Sequence, residues 1–300
     1  MTHRVEITHA DRVLFPDDGI TKGDVVEYYQ RVAPVMLPHV RDRPLTLQRF
    51  PRGIAAKGFI QQDIADSGAP DWLDRVEVPK ESGGTVLHAV ANRADALAWL
   101  ANQNCLTPHV WLARTRRLDR PDLMVFDLDP SDGSFAPVRD TAFTLRDLLT
   151  DLGFTPHVQL TGSRGVHVVA PLSGQPDFDE VRAFARDVAE VVTADDPGHR
   201  TTAARKAARG DRVYLDIMRN AYAQTTVAPY AVRARQGAPV ATPLDWDELS
   251  ARGMRADRYT VRTLPRRLSR RADPWRDLRR HARSLAAARR RLDRIRDTAE

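Results

Sequence analysis

Apolar positions recur at helical spacing over residues 21–33, where Thr21 precedes the run Lys-Gly-Asp-Val-Val-Glu-Tyr-Tyr-Gln-Arg-Val-Ala. The pattern predicts a helix with Thr21 as its N-cap. The same period marks 93–101, 138–152 and 178–193 as helices. Over Leu45–Phe50 the period drops to two, and the run then meets Pro51 and Gly53, so it reads as a strand ending in a turn. Residues 122–129, 156–161, 165–171 and 212–218 read as strands in the same way. No internal repeat and no long low-complexity linker interrupts the alternation of strands and helices. An α/β or mixed α+β architecture follows, with a central mixed sheet flanked by helices.

One strand carries chemistry as well as pattern. Residues 125–130 read Val-Phe-Asp-Leu-Asp-Pro, and in extended backbone alternate side chains share a face. Asp127 and Asp129 therefore point one way while Phe126 and Leu128 point into a core. Two carboxylates held that close repel unless a positive charge sits between them, and hard divalent cations with oxygen ligands are the usual solution where phosphates must be neutralised. This points to metal-dependent phosphate chemistry. The competing reading is a capped turn, since Asp129-Pro130-Ser131-Asp132-Gly133 is rich in turn formers.

Asp216 stands alone among apolar neighbours in Arg-Val-Tyr-Leu-Asp-Ile-Met, residues 212–218. An unpaired carboxylate is costly to bury, so it must face solvent, a partner or a metal. With Asp127 and Asp129 it makes three acids able to hold two cations, the arrangement that clamps attacking and leaving oxygens in nucleotidyl transfer. Between the acidic strands lies Thr161-Gly-Ser-Arg-Gly-Val-His167. Its glycines allow close backbone approach, while Ser163, Arg164 and the neighbouring amides can donate to phosphate oxygens. His167 alternates with Val166 and Val168, which turns it to the face opposite theirs. A tight hairpin with a satisfied histidine is the alternative for this run.

Composition narrows the class. The chain has 300 residues, 42% hydrophobic and 29% charged, with a net charge of +6; that is ordinary for a globular protein. A single cysteine, Cys105, excludes a disulfide within the chain, and no Cys-x-x-Cys zinc motif exists. No apolar run reaches membrane-spanning length and no signal-peptide core opens the chain, so a cytoplasmic, nucleoid-associated protein without membrane contact is expected. Charge is unevenly spread. Between Arg262 and Arg296 there are 14 arginines against three acids, a surplus of +11, which leaves −5 for the remainder. Such a segment suits a polyanion, nucleic acid above membrane. Equally, Leu278, Leu285, Leu292 and Ile295 form a narrow stripe that suits a helix laid on the body with its arginines in water.

The ordered set Phe126-Asp-Leu-Asp-Pro130, Gly162-Ser-Arg-Gly-Val-His167 and Val213-Tyr-Leu-Asp216, followed by Thr225-Thr-Val-Ala-Pro-Tyr230, resembles the polymerase domain of bacterial DNA ligase D, in the archaeo-eukaryotic primase superfamily. The resemblance extends from about Ile7 to about Trp275, with Asp11-Arg-Val-Leu-Phe-Pro16 and Thr21-Lys-Gly-Asp24 near its start and Pro243-Leu-Asp-Trp-Asp-Glu-Leu249 near its end. It implies a primase-polymerase catalytic domain over residues 1–275 and a basic helical tail over 276–300. It also implies that Asp127, Asp129 and Asp216 bind two Mn²⁺ or Mg²⁺ ions, and that Ser163, Arg164 and His167 hold a nucleoside triphosphate. Arg209 and Arg233 would add phosphate contacts, and His109 would meet the sugar or base. Arg12 and Lys22 resemble positions that grip the 5′-phosphate of a gap or broken end, and Phe59 one that packs on the template. The implied function is template-directed gap filling or end extension in non-homologous end joining, with a preference for ribonucleotides. Ku and a separate DNA ligase are the implied partners, because no Lys-x-Asp-Gly adenylation motif is present.

The chain departs from the family pattern at Gln48, where lysine is frequent, at Ile60, where a second aromatic follows Phe59, and at Arg219, where glutamine is frequent. Arg12 replaces a common lysine, keeping charge but changing donor geometry. Two other classes compete. A haloacid-dehalogenase-type phosphatase would use the first Asp of Phe126-Asp-Leu-Asp as nucleophile, but it needs threonine or valine where Ser131 stands. A catalytically silent DNA-end-binding module is the other.

Overall fold

A computed structural model describes residues 3–80, 83–131 and 134–297; Asp132 and Gly133 of the turn-rich run, and residues 298–300 of the tail, lie outside them. The chain divides into two compact units. The first comprises 1–116, 225–242 and 257–273; the second comprises 117–224, 243–256 and 274–300.

In the first unit a short antiparallel pair, Val13–Phe15 with Ile20–Thr21, leads into helix α1 (Lys22–Val40). Thr21 caps it through a reciprocal box, its Oγ1 accepting from Asp24 N while the Asp24 carboxylate accepts from Thr21 N. The helix outruns its predicted end at residue 33, continuing through Pro34 and Pro38. Both prolines face outward, whereas Val32, Ala33, Met36 and Val40 keep the buried stripe that packs on helix α2 (Ala94–Asn102). Packing of that face outweighs the cost of the prolines. The accompanying antiparallel sheet contains β1 (Pro44–Arg49), β2 (Phe59–Gln61), β3 (Arg75–Pro79), β4 (Thr85–Val90) and β5 (Cys105–Trp111), with Thr225–Val227 on the far side of β5. Only β1 among these carries an alternation plain enough to read in advance. A buried polar network also serves this unit: Tyr230 Oη donates to Asp273 Oδ1 at 2.7 Å, and His39 Nε2 lies 2.6 Å from Asp273 Oδ2.

In the second unit the predicted strands appear as β6 (Leu123–Asp129), β7 (His157–Leu160), β8 (Val166–Pro171) and β9 (Val213–Asp216). Their sheet runs Arg200–Thr201, β9, β6, β8, β7, Thr242–Leu244. The β9–β6–β8–β7 ladder is antiparallel, and Arg200–Thr201 pairs parallel with β9. Helices α3 (Ala136–Asp151) and α4 (Phe178–Asp195) pack on it. The α/β architecture is therefore observed with most of its strands divided between two six-stranded sheets, beside two small two-stranded ones, and the acidic strand is central to the second six-stranded sheet.

The arginine-rich end is docked in this unit. Helix α5 (Leu285–Asp297) buries Leu285, Ala288 and Leu292 and packs against α4. Arg289 and Arg296 reach Asp187 of α4, with Arg296 also 3.7 Å from Glu190, and the Arg289 guanidinium lies over the Phe184 ring. Part of the tail's charge is thus spent on holding it in place. Among the described residues no helix is long and apolar enough to cross a membrane.

Candidate active site

Strand register decides which acids meet. Asp127 on β6 is the partner of Asp216 on β9 and of His167 on β8, and His167 is in turn the partner of Gln159 on β7. A single row crosses four strands, and partners in a row share a face. Asp129, two residues along β6, is on that same face beside Tyr214. Phe126 and Leu128, on the other face, are fully buried.

The row is linked by polar contacts. His167 Nε2 lies 3.4 Å from Asp127 Oδ1, with Gln159 Nε2 3.4 Å from His167 Nδ1. Asp127 is buried, and burial alone would push its carboxyl up. The His167 ring and the Arg219 guanidinium outweigh that and hold it down at about 2. Asp129 moves the opposite way, raised first by burial and then by the Asp127 charge. Two neighbouring carboxylates with pKa values pushed apart are a mark of functional sites.

Arg219 was legible only as a departure from a family pattern, yet it is central here. Its Nε donates to Asp127 Oδ2 at 3.1 Å and lies 3.8 Å from Asp216 Oδ2. It sits on a short 3₁₀ turn, Met218–Asn220, that directly follows the acidic strand. Asp216 is oriented from below by Met218 N, which donates to Oδ1 at 2.8 Å. Asn220, fully buried, donates to Val125 O at 2.7 Å and accepts from Val125 N at 2.8 Å. Neither support has a periodic signature; the only sequence signal is a polar pair placed just beyond an isolated acid.

The turn before β8 is built for close approach. A Cβ on Gly165 would stand 1.9 Å from Leu128 O, so no larger residue fits. Gly162 adopts φ +67, and its N donates to Ala256 O at 3.0 Å. Thr161 Oγ1 accepts from Ser163 N and Gly165 N, both at 3.3 Å. Ser163 is half-buried and Arg164 exposed, so the Arg164 head is open to solvent while His167, three residues on, is buried against Asp127. Arg209 is occupied differently from the other implied phosphate contacts: its guanidinium stacks 3.6 Å from the Tyr214 ring centroid and donates to Ala203 O and Ala204 O.

The remaining expected residues belong to the first unit. His109 lies on β5 as the partner of Thr46 and Val227, and Arg233 is half-buried with its N donating to Pro239 O. Arg12 and Lys22 come together, Lys22 N donating to Arg12 O at 2.8 Å. Their side chains differ. Lys22 is buried, with Nζ donating to Thr8 O and Thr8 Oγ1, and burial followed by the Arg12 charge lowers its pKa. Arg12 is exposed and donates to Pro51 O. Phe59 stands out on β2 at 47% exposure, with Arg49 over its ring.

The profile of the family described as LigD, primase-polymerase domain, matches residues 21–275. The chain belongs to that family. It is 36% identical over 259 residues to the multifunctional non-homologous end joining protein LigD of Mycolicibacterium smegmatis, a match covering 85% of this chain and 34% of the relative. To the bifunctional non-homologous end joining protein LigD of Bacillus subtilis it is 30% identical over 276 residues, covering 91% and 44%. It thus spans about a third of the length of the first of these LigD relatives. Its fold superimposes on the polymerase domain from Mycobacterium tuberculosis ligase D in complex with DNA with a TM-score of 0.87, at 33% identity over 93% of this chain and 99% of that one. The LigD primase-polymerase domains are metal-dependent nucleotidyltransferases, and the phosphatase reading of Phe126-Asp-Leu-Asp lapses with that membership.

Three carboxylates on adjacent strands are the hard oxygen donors that Mg²⁺ and Mn²⁺ take. The donor chemistry fits. Among the described residues, however, no three acidic, histidine or cysteine side chains close around one point, and the Arg219 contacts show what already holds Asp127 and Asp216.

Proposed function

We propose that this chain is a template-directed nucleotidyltransferase that fills short gaps or extends DNA ends during non-homologous end joining, preferring ribonucleotides. The observation that carries the reading is the row Asp216–Asp127–His167 across three adjacent strands, flanked by Asp129. Asp127, Asp129 and Asp216 would hold two divalent cations, which when bound supply Lewis-acid activation of the primer hydroxyl and neutralise the leaving phosphate. The protein's own part is positional. Asp127, whose carboxyl is held low by His167 and Arg219, is an anionic oxygen donor at neutral pH. Ser163 and Arg164 present donors to a triphosphate from a turn that Gly162 and Gly165 allow, and Arg209 and Arg233 add positive charge. His109 meets the sugar or base, and base pairing with the template selects the nucleotide.

Residues 1–275 form the catalytic part in this reading, with 276–300 as its basic tail, and the chain acts in the cytoplasm at the nucleoid. Its substrates are nucleoside triphosphates and gapped or broken DNA. Arg12 and Lys22 recognise the 5′-phosphate, Phe59 packs on the template edge, and Ku and a separate DNA ligase act beside it. The test is extension of a labelled primer across a short 5′-phosphorylated gap, with ribo- or deoxyribonucleotides and Mn²⁺ or Mg²⁺, by the wild type, Asp127→Ala and Asp129→Ala. Extension that both variants lose while still binding DNA supports the reading. DNA binding without extension by the wild type would leave a silent end-binding module, and normal extension by either variant would remove the metal assignment.

A further inference from the structure

Arg219 occupies the space between two carboxylates that the proposed mechanism needs for a metal. Its Nε lies 3.1 Å from Asp127 Oδ2 and 3.8 Å from Asp216 Oδ2. The guanidinium donates to Asp127 Oδ2 at hydrogen-bond distance and stands as an ion-pair neighbour of Asp216 Oδ2, whereas a divalent ion draws carboxylate oxygens to about 2.0–2.6 Å. Both cannot sit there at once.

The backbone beneath Arg219 is pinned on either side. Met218 N holds Asp216 Oδ1, and Asn220 is locked to Val125. The Arg219 side chain is different, for it is 38% exposed and has rotatable bonds enough to swing into solvent without moving its turn. A pinned turn thus carries a half-exposed cation into an acidic cluster.

We propose, building on the metal-site reading above, that Arg219 is a resident counter-cation that competes with divalent ions for Asp127 and Asp216 and keeps the ion affinity of the nucleotide-free protein low. With Arg219 in place two of the three acids already have a positive neighbour. Once it swings away the cluster regains its full negative charge, and charge count is a main determinant of ion affinity at oxygen sites. The released guanidinium faces solvent, where an anionic polyphosphate arriving at the neighbouring Ser163–Arg164 turn is a fitting new partner.

The experiment is Mn²⁺ titration of the full chain, without nucleotide, followed by the loss of the free-ion electron paramagnetic resonance signal, for wild type, R219Q, R219K and D127A. R219Q is expected to bind Mn²⁺ about tenfold more tightly, the size of shift that one neighbouring charge brings to a carboxylate, with R219K close to wild type because it keeps the charge. A readout that needs no variant is the Arg219 Nε–H resonance, which should move on saturation with Mg²⁺. Mn²⁺ binding by folded R219Q equal to or weaker than wild type, or an Arg219 resonance untouched by Mg²⁺, overturns the proposal. If D127A binds Mn²⁺ as wild type does, the metal-site reading itself is wrong, and this proposal falls with it.

Discussion

Asn220 is the residue whose removal should most clearly expose how the acidic strand is held. Asp127 sits on β6, but β9 pairs with β6 only from Asp127 to Asp129, so the outward N–H and C=O of Val125 have no strand to meet. The Asn220 amide substitutes for one. It accepts from Val125 N at 2.8 Å and donates to Val125 O at 2.7 Å and to Ile217 O at 2.9 Å, with the side chain fully buried. Asn220→Ala deletes three hydrogen bonds worth about 1 kcal/mol net each, and leaves buried Val125 groups whose desolvation costs about 1–3 kcal/mol. Water entering the space recovers part of this, so a loss of about 3–5 kcal/mol is expected. Asn220→Asp keeps an acceptor for Val125 N but can no longer donate, so it should be damaging as well. Equilibrium unfolding in guanidinium chloride, followed by far-ultraviolet circular dichroism, measures the difference. A change below about 1 kcal/mol for Asn220→Ala would refute the claim that this amide replaces a missing strand.

Three further outcomes are expected. His88 is buried with Nδ1 3.0 Å from Leu45 O, and burial lowers its pKa beneath the ordinary 6.5. The unfolded chain therefore takes up a proton first as pH falls, so the stability tied to neutral His88 is intact above that value and declines below it. His88→Gln should flatten the decline in denaturant midpoint on the acid side of neutrality, and an unchanged slope would contradict this. Cys105 is buried, and burial pushes its thiol up to about 12. A chromogenic disulfide reagent should accordingly label the native protein only as fast as it opens, and rapid stoichiometric labelling without denaturant would count against that burial. Lys22→Ala should weaken discrimination between 5′-phosphate and 5′-hydroxyl gaps, measured by competition binding, whereas equal discrimination would remove Lys22 from that role.

Much of the second unit was readable because its strands alternate. The β6 pattern, with Phe126 and Leu128 on one face and the aspartates on the other, follows from a period of two, and the helices α3 and α4 follow from a period near 3.6. The glycines of the Thr161–Gly165 turn were likewise legible, and the structure adds the reason at Gly165, where the Leu128 carbonyl oxygen fills the space a Cβ would need. Most strands of the first sheet escaped notice. Short edge segments such as Phe59–Gln61 and Thr225–Val227 take their strand form from the neighbours they pair with and not from their own pattern.

Local spacing in the chain was enough to set the four longer strands β6–β9 and helices α3 and α4 of the second unit, and the shared face of Asp127 and Asp129, and the ordered set of motifs was enough to indicate the family. Tertiary structure alone decided the rest. It placed Asp216 and His167 on either side of Asp127 through strand register, moved Arg219 from an apparent deviation into the centre of the acids, and turned Arg289 and Arg296 inward to Asp187. The physical reason is that these placements come from pairing and packing between segments far apart in the chain: a shift of one residue in strand register would turn Asp216 or His167 to the opposite face, and the partners of Arg219, Arg289 and Arg296 are set by which strand or helix lies beside them.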